Sequence, residues 1–240
     1  MFIKRLLNAV SLGYEIFRLP KIKFSFEKEL MSFPNVKETF FHFNKKHAKL
    51  KVFKNKQIGV AYIDLKGYLF KEDYLTQVNG KSSAYYYSRK CRARGYVLHE
   101  IDRNKYARDL ALIESSMPVR QGRSMAPGYG EEGRIYEDYA NYKYYGVMLS
   151  GKLVAYANVG VYGDFACVSR LMGHVCHLND GVMYFLLTEV ISNLIEEKNI
   201  SYIIYDTWYG ALPGLRQFKR KLGFRPCFAR WEIKEMQNGD

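Results

Sequence analysis

From residue 183 onward, Met183, Leu186, Leu187, Val190, Ile191, Leu194 and Ile195 recur at spacings of three and four, while Thr188, Glu189, Ser192, Asn193, Glu196 and Glu197 fill the other face. That pattern predicts an amphipathic helix laid on an apolar surface, with Asn199 as its stop. The short apolar run Tyr202-Ile203-Ile204-Tyr205 predicts a buried strand ending at Asp206. Residues 215–222 read as a basic helix with Phe218 and Leu222 toward the core, stopped by Gly223. Residues 228–233 read as a closing strand. Upstream, residues 96–101 alternate as a strand does, and Asp102 caps a helix carrying Tyr106, Leu110 and Ile113. Residues 144–149 and 153–161 flank the hairpin signal Ser150-Gly151-Lys152, and residues 165–172 add a third strand. The order predicts one mixed sheet over residues 96–233, with the helix from Gly181 packed on it.

The first third is less regular. Residues 1–19 read as a basic amphipathic helix ended by Pro20, docked on the domain or a second subunit in preference to an anionic membrane. Residues 21–44 are Phe-rich without clear periodicity. Residues 50–53 and 58–65 read as a small hairpin turning at Lys54-Asn55-Lys56-Gln57. Residues 67–80 are irregular or a short helix, and residues 81–94 a helix capped by Ser82 or Ser83. The chain therefore divides into an N-terminal extension, 1–80, and a main domain, 81–240.

Charge changes the picture. The 240 residues carry a formal net charge of +13, which favours an anionic partner: nucleic acid, a phosphorylated cofactor or a membrane surface. Cys91, Cys167, Cys176 and Cys227 form no CxxC pair, so neither a zinc site nor a disulfide framework is expected. No apolar run is long enough to span a bilayer, and Asn8, Tyr14 and Glu15 interrupt any signal-peptide core. The expectation is a cytoplasmic chain, with a peripheral position at the inner membrane face open to its basic helix.

Three places carry candidate chemistry. Asp206 ends a buried strand, where α/β sheets place ligands, and Tyr205 and Trp208 flank it. It is either a base or ammonium anchor, or a turn cap. The aperiodic stretch 115–129 holds Arg120, Gln121, Arg123 and Tyr129, side chains suited to a polar ligand. Arg89, Lys90, Arg92 and Arg94 crowd one helix, either as an anion contact or as a solvated face.

Asp206-Thr207-Trp208, followed by Leu215-Arg216-Gln217-Phe218-Lys219-Arg220-Lys221-Leu222-Gly223-Phe224-Arg225-Pro226, resembles the end of a GNAT-type acyltransferase domain. The element F-K-x-x-x-G-F-x-P is most similar to the FemAB-like branch. The resemblance implies an α/β (α+β) fold: a GNAT-like mixed, mostly antiparallel sheet flanked by helices, here with a basic N-terminal extension. It implies an N-acyltransferase that moves an acyl or aminoacyl group from acyl-CoA or aminoacyl-tRNA to an amine, on a cell-envelope sugar or peptide precursor. Lys219 matches the lysine of the F-K element and becomes a substrate-binding candidate. Where GNAT proteins hold the cofactor pyrophosphate, this chain has Gly173-His174-Val175-Cys176-His177-Leu178-Asn179-Asp180-Gly181, without the second glycine or the leading Arg or Gln. His174 and His177 are candidate proton acceptors there; no metal is expected. The rival readings are a nucleic-acid base modifier and a non-catalytic binding module.

Overall fold

The computed structural model describes residues 13–48, 51–120, 123–125, 128–131 and 133–235. β1 (Lys21–Glu27) leads through a 3-10 turn into α1 (Pro34–Asn44). There follow β2 (Ile58–Asp64), α2 (Lys71–Gln77), α3 (Ala84–Ala93), β3 (Val97–Glu100) and α4 (Ala107–Ser115). A small ribbon, β4 (Val119–Arg120) and β5 (Arg123–Ser124), precedes the meander β6 (Tyr142–Leu149), β7 (Lys152–Val161) and β8 (Phe165–Gly173). The rest is α5 (Val175–Leu178), α6 (Val182–Glu197), β9 (Tyr202–Thr207), α7 (Pro213–Lys221) and β10 (Arg225–Lys234).

Eight strands form one sheet in the order β1-β10-β2-β9-β8-β7-β6-β3. Only β1·β10 and β8·β9 are parallel. The mixed, mostly antiparallel sheet expected from the pattern is present. Alternation along the strands sends successive residues to opposite faces. Ile203, Tyr145 and Val147 join the core under α2, α3 and α6. Ile204 joins a second core with Phe24, Phe26, Phe165 and Trp231, covered by α1. Tyr144 and Tyr156 join a third with Leu110 and Ile113 of α4. α6 is the central helix: Leu186, Leu187, Val190, Ile191 and Leu194 are fully buried. Gly181 starts it at φ +89, where a Cβ would also lie 2.5 Å from the Tyr87 ring. Gly223 closes α7 in the expected left-handed conformation.

The first third departs from expectation. The hairpin over 50–65 does not form: residues 51–53 are turns, and Val52 is exposed. β2 pairs instead with β10 on one edge and β9 on the other. The reason is its burial. Val60, Ala61, Tyr62 and Ile63 are all nearly inaccessible, so β2 needs cover on both faces, which a small hairpin cannot supply. Residues 21–44, read as aperiodic, supply β1 and α1. Residues 1–80 thus furnish strands of the common sheet as well as any extension. The helix expected over 1–19 lies mostly outside the described residues; residues 13–17 are helical. Among the described residues no helix is long and apolar enough to cross a membrane.

Candidate active site

β8 and β9 are paired only from Phe165↔Tyr202 to Cys167↔Ile204. Beyond that point β8 stays with β7 as far as Gly173, while β9 stays with β2 as far as Thr207. The two strands part, and the sheet is split at their C-terminal ends. On the α6 and α7 side the split opens into an apolar groove of about 240 Å³ lined by Gly173, Leu178, Met183, Leu215 and Phe218. On the α1 side it opens into a wider polar cleft of about 700 Å³ lined by Glu38, His42, Lys56, Tyr129, Arg170 and Asp206. Leu171, Met172 and Tyr205 line both, so the two openings meet at the split.

Asp206 stands at that junction. Between Val60↔Thr207 and Tyr62↔Ile204, β9 carries one residue more than β2, a bulge that contains Tyr205 and Asp206. Asp206 has φ +51, a backbone strain of the kind found at functional sites. Its carboxylate is ion-paired with Lys56. Burial pushes the carboxyl up, but the Lys56 charge and hydrogen bond, with Lys219 behind, together hold it below the usual carboxylate range. Such a group stays ionised at neutral pH; it attracts a cation better than it takes a proton. Lys219 is fully buried, and its Nζ donates to the Thr207 carbonyl at 2.8 Å and lies 4.9 Å from the Tyr205 ring centre. Burial brings its ammonium down from 10.5 to about 8, although Asp206 opposes the shift. Lys219 lines neither opening, so it acts on the site through Tyr205, Asp206 and the β9 backbone rather than by touching a ligand.

The other expected residues divide. Arg120 does line the apolar groove; its guanidinium donates to the Gly173 and Ile113 carbonyls, at 3.2 and 2.6 Å, tying α4 to the end of β8. Gln121 lies outside the described residues, as does the Arg123 side chain. Tyr129 lines the polar cleft and receives a hydrogen bond from Arg170 at 2.9 Å. Trp208 packs against the main core, and its backbone N–H bonds the Gly59 carbonyl at 2.6 Å. His174 and His177 line neither opening. His174 caps α5, and His177 contacts the Tyr96 hydroxyl at 2.8 Å. Burial, and then His174, lower the His177 imidazole. Of the basic run, one Arg92 nitrogen bonds both carboxylate oxygens of Glu189, and Arg94 is paired with Asp180. Arg89 lies over the Tyr85 ring, and Lys90 is half-buried. The carboxylates of α6 and its approach thus claim two of the four cations, an arrangement set by tertiary packing that a charge run cannot reveal. Among the described residues no cluster of His, Cys, Asp or Glu is grouped to hold a metal ion.

Sequence reasoning missed Lys56, the partner of Asp206, because it sat in the supposed hairpin turn. It also missed Arg170, which reaches the buried Glu114 at 3.5 Å beside Tyr156, whose hydroxyl donates to the same carboxylate at 2.6 Å. A charged residue inside the apolar alternation of β8 was the available signal.

No protein-family model matches the chain, and no curated protein matches it. Solved structures do. FemX is 10% identical and superposes with a TM-score of 0.53, over 73% of this chain and 61% of that one. The C-terminal domain of a putative lysylphosphatidylglycerol synthetase from Agrobacterium fabrum is 14% identical, with a TM-score of 0.50, over 70% of this chain and 58% of that one. The L-PGS structure from Bacillus licheniformis is 17% identical, with a TM-score of 0.48, over 70% and 58%. The chain spans about three fifths of the length of these proteins. With a split between parallel neighbours β8 and β9 in a mostly antiparallel sheet, the chain has the GNAT fold.

Proposed function

We propose that the chain is an N-acyltransferase. An activated donor, an acyl-CoA or an aminoacyl-tRNA, lies in the apolar groove with its reactive carbonyl at the split. An amine acceptor enters from the polar cleft, and its nitrogen attacks the carbonyl beside Asp206. The observation that carries the reading is the divergence of β8 and β9 after Cys167 and Ile204. It frees the β8 edge beyond Cys167 from any strand partner on that side and joins the two openings. Unpaired backbone N–H groups can bond an extended donor and stabilise a developing oxyanion. Holding the two reactants in line supplies most of what such a direct transfer needs, without a covalent enzyme intermediate. Asp206, ionised and half-exposed, is suited to draw the acceptor ammonium into place. The nitrogen loses its proton to cleft water and attacks the carbonyl, and the donor's thiol sulfur or ribose oxygen leaves with the bonding pair and is protonated by solvent.

The test is donor binding. Purified protein titrated with acetyl-CoA and, separately, with aminoacyl-tRNA should bind one of them, and Phe218→Ala should weaken that binding about tenfold by removing apolar groove wall. If neither donor binds, or if Phe218→Ala binds as well as the parent chain, the groove is not a donor site.

A further inference from the structure

Beside the polar cleft, and sharing Ser169 and Arg170 with it, lies a second cavity of about 410 Å³. Arg103, Arg134 and Arg170 all border it. Arg103 is 9% exposed, yet among the described residues neither it nor Arg134 makes an ion pair. The Arg103 guanidinium is 3.8 Å from the Tyr144 ring centre and 5.2 Å from that of Tyr136, and the Arg134 guanidinium is also 5.2 Å from Tyr136. One Arg103 nitrogen bonds the Glu137 carbonyl, and one Arg134 nitrogen the Gly128 carbonyl at 3.2 Å. The carboxylate on the cavity wall and the one paired with Arg170 are engaged. Glu137 accepts the Tyr139 hydroxyl at 2.6 Å, and Glu114 is held by Arg170, Tyr156 and the Gly130 N–H. Two residues that line the cavity, 5% and 7% exposed, each hold a buried polar atom without a partner: the Tyr136 hydroxyl and the Asn158 amide oxygen. A buried cation without an ion pair, as Arg103 is, and buried polar atoms without hydrogen bonds are each unfavourable, and a ligand supplying both needs relieves both.

We propose that this cavity binds a phosphate ester whose organic part carries a hydroxyl or amide hydrogen-bond donor. The phosphate meets the guanidinium groups, which suit its geometry and double charge; a lone carboxylate would occupy only one of them. The organic part places its donor on the Asn158 oxygen, with Tyr136 bonding either portion and the tyrosine rings as apolar walls. The site is independent of acyl transfer, because Arg103, Arg134, Tyr136 and Asn158 line neither opening at the split between β8 and β9.

Calorimetric titration with adenosine monophosphate, glucosamine 1-phosphate, orthophosphate and glucuronate tests it. One ester or both should bind about tenfold more tightly than orthophosphate or glucuronate, and which of them does so tells a nucleotide from a sugar phosphate. Arg134→Gln, at an exposed position, should weaken that binding about tenfold. Tyr136→Phe removes only the hydroxyl and should weaken it several-fold at an unchanged melting temperature. Failure of both esters to bind at millimolar concentration, equal binding of glucuronate, or undiminished binding in both variants overturns the proposal. Donor titration in the same variants should be unchanged, so a failure here stays separate from a failure of the acyltransferase reading.

Discussion

At the scale of single residues, the junction of the two openings is a charge balance among Lys56, Asp206 and Lys219. Asp206→Asn keeps the shape but loses the charge that would attract an ammonium. Steady-state kinetics should show kcat/KM down by roughly ten- to a hundredfold, the worth of one charge-assisted contact. A normal kcat/KM would leave Asp206 with only the task of holding Lys56. Lys219 gives a pH signature of its own. Its ammonium titrates near 8 when folded against 10.5 ordinarily, so between those values the unfolded chain binds more protons. Lys219 must then contribute stability that rises with pH in that window, by about 2 kcal/mol from pH 8 to pH 10, while burial of the Cys91, Cys167 and Cys227 thiols pulls the other way. In denaturant titrations the stability of the parent chain minus that of Lys219→Met should therefore rise between pH 8 and pH 10. A flat difference would mean that Lys219 is no depressed base. At this scale the sequence was legible where a residue ends an element, as Asp206 does. It was illegible where function depends on a partner from afar: Lys56 lies 150 positions from Asp206, and the buried state of Lys219 is invisible in the run Lys219-Arg220-Lys221.

At the scale of elements, the split between β8 and β9 is held open by the pieces around it. Arg120 bridges α4 and the end of β8 with two carbonyl contacts. A lysine has no planar fork to reach both, so Arg120→Lys should weaken donor binding and lower the melting temperature together. Unchanged values for both would show the bridge to be idle. The start of α6 is equally constrained. Gly181→Ala places a Cβ in the left-handed region and against Tyr87, and should cost at least about 1–2 kcal/mol in chemical denaturation. The meander and α6 were legible because their periodicities of two and near four are long and clean. The ribbon β4–β5 was not, since two-residue strands leave no period. β1 escaped for a different reason: Phe24 and Phe26 alternate as a strand should, but Ser25 between them is buried as well, and its N–H is bonded to Asp164 at 2.8 Å.

At the scale of the whole molecule, the sheet order runs against the order of the chain. β10 is inserted between β1 and β2, so the strand ladder of β1 is made with β10 alone, beside two backbone bonds that link Glu27 and Ser25 to the turn between β7 and β8. A chain cut after Gly223 keeps all the elements that line the apolar groove. It nevertheless leaves β1 without its ladder and Phe24, Phe26 and Phe43 without Trp231, against which they pack. That truncation should show non-cooperative thermal unfolding and bind a hydrophobic dye; a sharp, dye-free transition would contradict it. The same arrangement sets a schedule for synthesis. Residues 21–64 leave the ribosome early, rich in exposed phenylalanine, yet their seat in the sheet is completed only when residues 225–234 emerge. Until residue 225 emerges the first strands are a waiting aggregation hazard, one that a slowed approach to that residue would lengthen and a bound chaperone would relieve.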